Sequence, residues 1–250
     1  SGVEMIVSTE KGIAYPEALG SFQKPGTGVW SIDRIGAASI EALDSATMTE
    51  VQSSGEGATL HVKDPVVFDS PAGGTALMFC SHPFGWSSSN TGLAKRGEGE
   101  GEFVLQTRSV LERGATWDVA CARVTDRLAV PQMGLLAGLP PLSLYFYDGA
   151  ECLRSLDENA KAVSRPRGYS CEELGGLAWG WDAEFPKMQR LSLDFPLFTS
   201  PHGTGCSRYV STLKTQDGIM ATWQQSQPDR SQPLVGNFLD RAAVESQLAG

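Results

Sequence analysis

Two apolar runs joined by a glycine-containing turn constrain this chain more than any other stretch of it. The first is His61-Val62-Lys63-Asp64-Pro65-Val66-Val67-Phe68, and the second is Thr75-Ala76-Leu77-Met78-Phe79-Cys80-Ser81. Pro65 biases Asp64 toward extended backbone and the following residues are β-branched, so the pair predicts a β-hairpin with an acid at its rim. Two relatives of this pattern stand downstream. Trp117-Asp118-Val119-Ala120-Cys121-Ala122-Arg123-Val124 again places an Asp before a strand-like run, and Leu142-Ser143-Leu144-Tyr145-Phe146-Tyr147-Asp148 supplies the answering strand.

Taken in order, the chain predicts four modules of antiparallel strands. The first holds strands at 3–8, 30–40 and 48–52, with a Pro- and Gly-rich loop at 12–28. The second runs from the Asp64 strand through 75–81 and 91–95 to 103–106, and its Gly92-Leu93-Ala94 stands where the first module has Gly36-Ala37-Ala38. The third opens at Asp118 and carries Gly176-Leu177-Ala178 in turn; the fourth follows Pro201-His202-Gly203 with strands at 207–212, 219–225 and 234–238. Residues 239–248 suit a short terminal helix. Repeats of about 50 residues, each of about four antiparallel strands, predict an all-β chain, a β-propeller whose blades bury their faces only against one another. The expectation is one propeller domain over residues 1–250. The strand at 3–8 begins without an entry turn, so the first blade is expected to be incomplete.

Composition narrows the function. A formal net charge of −9, from 20 Lys+Arg against 29 Asp+Glu, argues against a surface that tracks nucleic-acid phosphates. The 5 cysteines are odd in number and show no CxxC spacing, which predicts buried thiols rather than a disulfide framework or a zinc site. No apolar run reaches the roughly 18–20 residues of a membrane helix. No membrane partner is therefore expected, and the thiols with the absence of a signal-like start favour a cytoplasmic location, with oligomeric state left open.

With Lys63-Asp64-Pro65, Asp118 and Cys171-Glu172-Glu173 in view, the chain resembles the five-bladed β-propeller glycosidases: the family-43 arabinanase and xylosidase group, with the invertase and levansucrase families 32 and 68 as relatives. The resemblance implies a carbohydrate-active hydrolase that cleaves a glycosidic bond of a furanoside-like substrate, with three carboxylates in a central funnel. Asp64 matches the stabilising Asp of an Arg-Asp-Pro motif, Lys63 replacing the Arg, and Glu172 or Glu173 matches the acid. No Asn-Asp-Pro-like motif stands near the N-terminus, so the first-blade Asp is missing, lies upstream, or is replaced by Asp118. The resemblance implies no cofactor, although a structural or funnel cation such as calcium is compatible with it.

Glycoside hydrolysis needs one carboxyl kept protonated for the leaving oxygen and another kept ionised for water or for the anomeric carbon. Asp64, Asp118, Glu172 and Glu173 are the candidates, each weighed against a structural role as turn, cap or rim residue. Glu172 and Glu173 are neighbours, so in an extended segment only one faces the funnel. His82, Trp86, Arg123, His202 and Arg208 are candidate substrate contacts: His82 and Trp86 in an aromatic rim loop suited to stacking on sugar, Arg123 near Asp118, and His202 and Arg208 around a Gly-rich turn. Two other readings stay open. A phosphate-using glycosidase would hold its anion on His202, Arg208 and Lys95, and a propeller lacking convergent acids would bind carbohydrate without cleaving it.

Overall fold

The computed structural model describes residues 2–23, 26, 28–53, 60–82, 89–98, 101–151, 153–155, 169–171 and 173–249, with backbone alone at 22, 153–155 and 169–171. The chain divides into two compact units, residues 1–112 and 113–250.

In the first unit, β1 (Val3–Lys11), β2 (Val29–Ala37) and β3 (Met48–Gln52) form an antiparallel sheet in that order. The expected strand over 30–40 stops at Ala37, and a 3-10 turn occupies Leu43–Ser45. The four-stranded meander of β4 (His61–Asp69), β5 (Thr75–His82), β6 (Asn90–Arg96) and β7 (Val104–Leu111) follows. The two sheets bury Ile32, Val62, Leu77, Phe79, Ala94 and Phe103 together, with Ile6, Val51 and Leu105 packed against them. Ile6 and Ile32 alternate with residues of the opposite face along their strands, so one face of the first sheet supplies that core. Each large side chain buried there stabilises the unit by about 1.5–3 kcal/mol relative to exposure.

In the second unit the strands are β8 (Cys121–Ala129), β9 (Leu142–Ala150), β10 (Leu153–Ser155), β11 (Tyr169–Cys171), β12 (Leu174–Trp181), β13 (Gln189–Arg190), β14 (Ser207–Lys214), β15 (Gly218–Gln225) and β16 (Leu234–Asp240). They make a four-stranded sheet in the order β13-β12-β9-β8, a three-stranded sheet β14-β15-β16, and the small pair β10-β11. Helix α1 (Arg241–Leu248) closes the unit, with the Asp240 carboxylate accepting from the Ala243 amide at 2.7 Å as its N-cap. Asp118 lies in the turn before β8 rather than opening the strand. The four expected modules are thus four antiparallel sheets, of which the first and last have three strands among the described residues. No helix among the described residues is long and apolar enough to cross a membrane.

The glycine shared by Gly36-Ala37-Ala38, Gly92-Leu93-Ala94 and Gly176-Leu177-Ala178 has a packing cause in two of the three places. Gly92 pairs across β5–β6 with Phe79, and Gly176 pairs across β9–β12 with Tyr147. A Cβ at Gly92 would come 2.6 Å from the Phe79 ring, and one at Gly176 would come 2.4 Å from the Tyr147 ring. Each aromatic therefore lies across the glycine opposite it. Gly36, the third member, faces nothing within 4 Å. Gly92→Ala and Gly176→Ala are expected to cost about 1–3 kcal/mol each through overpacking, whereas Gly36→Ala should be neutral or slightly stabilising. Urea midpoints of the three variants at unchanged slope check this.

Candidate active site

β4 does not pair evenly with β5. Lys63 stands against Cys80 and Val66 against Met78, so Asp64 and Pro65 together oppose the single residue Phe79 in a β-bulge. Asp64 takes a left-handed backbone there, with φ 54°. Its amide, turned out of the ladder, donates to Ser8 Oγ of β1 at 2.7 Å, and the Cys80 thiol stands 3.6 Å from its Oδ2. A non-glycine residue in this region stores about 1–3 kcal/mol of strain that surrounding contacts must offset. The return is a part-buried carboxylate thrown off the regular pleat at a fixed place on the first strand of its sheet.

Other buried polar groups of the first unit are paired with one another. Asp33, 1% exposed on β2, accepts from Lys11 Nζ at 2.7 Å. His61, fully buried on β4, accepts the Trp30 amide at Nδ1 over 3.1 Å, which places its ring hydrogen on Nε2, 2.7 Å from the Tyr15 hydroxyl. His82 ends β5 opposite His61, and the two rings meet edge-on with centroids 6.1 Å apart. His82 is thus buried within the unit, and Trp86, expected beside it on the rim, falls outside the described residues.

The second unit carries a buried network of opposite charges. Arg123 on β8 pairs in register with Asp148 on β9, and its Nη2 donates to Asp148 Oδ2 at 2.6 Å and to Glu173 Oε1 at 2.7 Å. Arg208 on β14 grips the other Glu173 oxygen through Nη1 and holds Gln224 Oε1 through Nε at 3.0 Å. The Tyr209 ring packs against both guanidiniums, its centroid 4.2 Å from that of Arg123 and 4.8 Å from that of Arg208. Asp148 is wholly buried, and burial pushes its carboxyl up to about 6, with Arg123 pulling it down and Glu173 pushing it up. For Arg208, burial pulls the guanidinium down, but the neighbouring Glu173 carboxylate more than reverses this.

Glu173, one of the two expected acids, therefore sits between two cations, an arrangement that suits holding negative charge better than delivering a proton. Glu172 lies outside the described residues. Asp118 is fully buried: its Oδ2 accepts from Arg190 Nε at 2.8 Å and from the Tyr147 hydroxyl at 3.2 Å. A Cβ on Gly114 would stand 1.8 Å from Asp118 Oδ1, so that backbone closes the remaining side. Trp117 stacks on Tyr147 at 5.6 Å and donates to the Ser192 carbonyl, completing an enclosure that leaves no room for a sugar at Asp118. His202 is exposed in its turn, its amide held by Ser200 Oγ at 3.1 Å. Lys95 belongs to the first unit and His202 and Arg208 to the second.

Sequence reasoning passed over Asp33, Asp148, Arg190 and Tyr209. The strand Trp30-Ser31-Ile32-Asp33 carried a signal for the first, an acid at a buried strand position. Asp148, followed by Gly149, reads as a turn residue, and only the register of β8 with β9 shows it facing Arg123. Cys80, Cys121 and Cys206 are buried free thiols, as expected. Among the described residues no group of three or more His, Cys, Asp or Glu is placed to hold a metal ion.

No family model matches the sequence, and no curated protein matches it. Solved structures do match in fold. An α-L-arabinofuranosidase from Lactobacillus brevis superposes with a TM-score of 0.56 at 10% identity, over 95% of this chain and 68% of that one. A thermostable family-43 glycoside hydrolase gives 0.53 at 11% identity, over 85% and 64% of the two chains. A third structure, described as a glycoside hydrolase, gives 0.53 at 11% identity, over 88% and 63%. The chain spans about two thirds of the length of these proteins. Such identities speak to fold alone, and the fold they show is the all-β, propeller type of the family-43-like glycosidases.

Proposed function

We propose that this chain is the propeller of a carbohydrate-active hydrolase that cleaves a glycosidic bond, with a furanoside-like glycan or glycoside as substrate. The observation that carries the reading is Asp64: an acid at φ 54° on a bulge of the first strand of its sheet, its amide satisfied by Ser8. Strain held at a carboxylate by a second sheet is hard to account for as packing, and bulges that re-aim a side chain cluster beside active sites. The fold shared with family-43-type hydrolases supports it.

In this reading Asp64 supplies an ionised carboxylate at the reacting centre. In the second unit Arg123 and Arg208 are engaged by Glu173, Asp148 and Gln224 rather than set to bind an anion, which disfavours phosphorolysis. Asp118 holds Arg190 and Tyr147 in place. The proton donor is then sought between Glu172 and Glu173, and leaving-group dependence separates them. A residue that donates the proton, changed to Gln, loses turnover steeply on poor leaving groups and little on activated aryl glycosides. Glu172→Gln is expected to behave so, whereas Glu173→Gln should lower thermal stability and depress all substrates alike.

A panel of aryl arabinofuranosides, xylosides and plant-type glycans tests the reading. Sugar release from at least one furanoside is expected. Binding without release from any member would make the chain a carbohydrate-binding propeller, and phosphate-dependent release would restore the phosphorolytic reading.

A further inference from the structure

The first strands of the second and fourth sheets share one device. Each carries a bulge, β4 between Lys63 and Val66 and β14 between Arg208 and Ser211, and each holds one non-glycine residue at φ 54°, Asp64 and Tyr209. In each, the amide turned out of the ladder finds a side chain of another sheet: Ser8 Oγ for Asp64, and both carboxylate oxygens of Asp148, at 3.1 Å, for Tyr209. β14 is an edge strand pairing only with β15, so its outward amides would otherwise lie unpaired. A second acid does the same further along: Asp126 on β8 accepts from the amide and hydroxyl of Thr212.

Asp148 differs from Asp126 in what else it holds. The oxygen that takes the Arg123 guanidinium also shares the Tyr209 amide. Arg123 in turn carries one oxygen of Glu173, Arg208 carries the other, and both guanidiniums pack against the Tyr209 ring. Removing the charge at Asp148 loosens the bulge and the arginine together, because both are held by one carboxylate with no exposure to water that could replace it.

We propose that Asp148 is the positioning residue of the second unit's buried charge network: by gripping the Tyr209 amide and the Arg123 guanidinium at once, it ties the β14 bulge to the β8–β9 pair and sets where Tyr209, Arg208 and the Glu173 carboxylate stand. The proposal rests on the glycosidase reading for its catalytic consequence, though not for its geometry. The charged and titratable groups around Asp148 are Arg123 and the Cys121 thiol from β8, Glu173 before β12, and Arg208 and Tyr209 from β14, with Cys206 beside Arg208. Burial raises the Asp148 carboxyl toward neutral pH, with Arg123 pulling it down and Glu173 pushing it up.

Two measurements test it. In wild-type protein the Tyr209 amide resonance should move between pH 5 and 7.5, with a midpoint near the value of about 6 that burial gives Asp148, and the movement should vanish in Asp148→Asn. On the substrate found by the panel, Asp148→Asn should lower kcat by about 10²-fold with KM little changed, the loss expected when a supporting contact away from the chemistry shifts the residues it holds, and its rate profile should lack the wild-type inflection. The wild-type titration needs no variant, so it decides the point even if Asp148→Asn does not fold. An immobile Tyr209 amide, or a folded Asp148→Asn with wild-type kcat and pH profile, overturns the proposal. A wild-type protein that turns over no glycoside sinks the hydrolase reading instead, and the amide titration still decides whether Asp148 holds the bulge.

Discussion

Asp64→Asn should lower kcat on the cleaved glycoside by between about 10²- and 10⁴-fold, the range for losing a group that moves or stabilises charge in the transition state. The exchange keeps the shape of the side chain and removes only its charge. Asn tolerates the left-handed backbone at least as well as Asp, so the bulge at φ 54° survives, and the amide still reaches Ser8 Oγ. Stability should therefore change by no more than about 0.5 kcal/mol, and the melting curve should overlay that of wild type. Ser8→Ala supplies the contrast. It leaves the carboxylate in place but strips the acceptor from a turned-out amide, so it should cost about 1–3 kcal/mol and lower kcat by releasing the bulge. A variant Asp64→Asn with unaltered turnover, or one that melts far below wild type, would make Asp64 a turn residue with no part in chemistry.

Much of the fold was legible because strand alternation and turn residues are local signals. The runs at 61–68 and 75–81 are β4 and β5, each one residue longer in the structure, and the repeated Gly-Leu-Ala marks the third strand in the second and third sheets. The likeness stops at Gly36, next to the end of β2 and facing open space, because a short sequence match carries no record of the residue across the ladder. Phe79 and Tyr147 are what give Gly92 and Gly176 their meaning. Those partners are set by register, which lies 13 and 29 positions away in sequence.

The site was legible in part for the same reason. Asp64 was marked by Pro65, its neighbour in the chain, although the extended backbone that Pro65 favours gives way to φ 54° where the bulge and the Ser8 contact hold it. Asp148 is recognised through Arg123 and Tyr209, 25 and 61 residues away, and nothing near it in the sequence marks it as other than a turn acid. Asp118 misled in the opposite direction: an Asp before a strand reads as a rim acid, yet Arg190, Tyr147 and Gly114 enclose it from three distant or looped segments. Local pattern thus locates acids, whereas long-range register decides which of them meet water, which meet a cation, and which are sealed in.

The second large effect falls on stability and centres on Arg123. Its guanidinium is the contact shared by Asp148 and Glu173, both almost fully buried, at 2.6 and 2.7 Å. Arg123→Met keeps most of the apolar stem but leaves two buried carboxylates with one cation fewer, and removing one partner of such a network costs about 3–5 kcal/mol. The deficit should depend on pH with a definite sign. The folded-state carboxyl of Asp148 lies near 6, above its unfolded value of about 3.8, so the folded state binds the extra proton and this group favours folding as pH falls from about 6 toward 4. Arg123 pulls that carboxyl down, so its loss moves the window upward, and Arg123→Met should be most unstable at pH 8 and recover part of the deficit at pH 5. Adding Asp148→Asn removes the charge left unpaired, so the double variant should be more stable than Arg123→Met at pH 8 and less sensitive to pH. Urea denaturation of the four members of this cycle at pH 5 and pH 8 gives the coupling directly. Equal losses at both pH values, or strict additivity of the two substitutions, would mean that Arg123 contributes packing alone and that the buried acids do not depend on its charge.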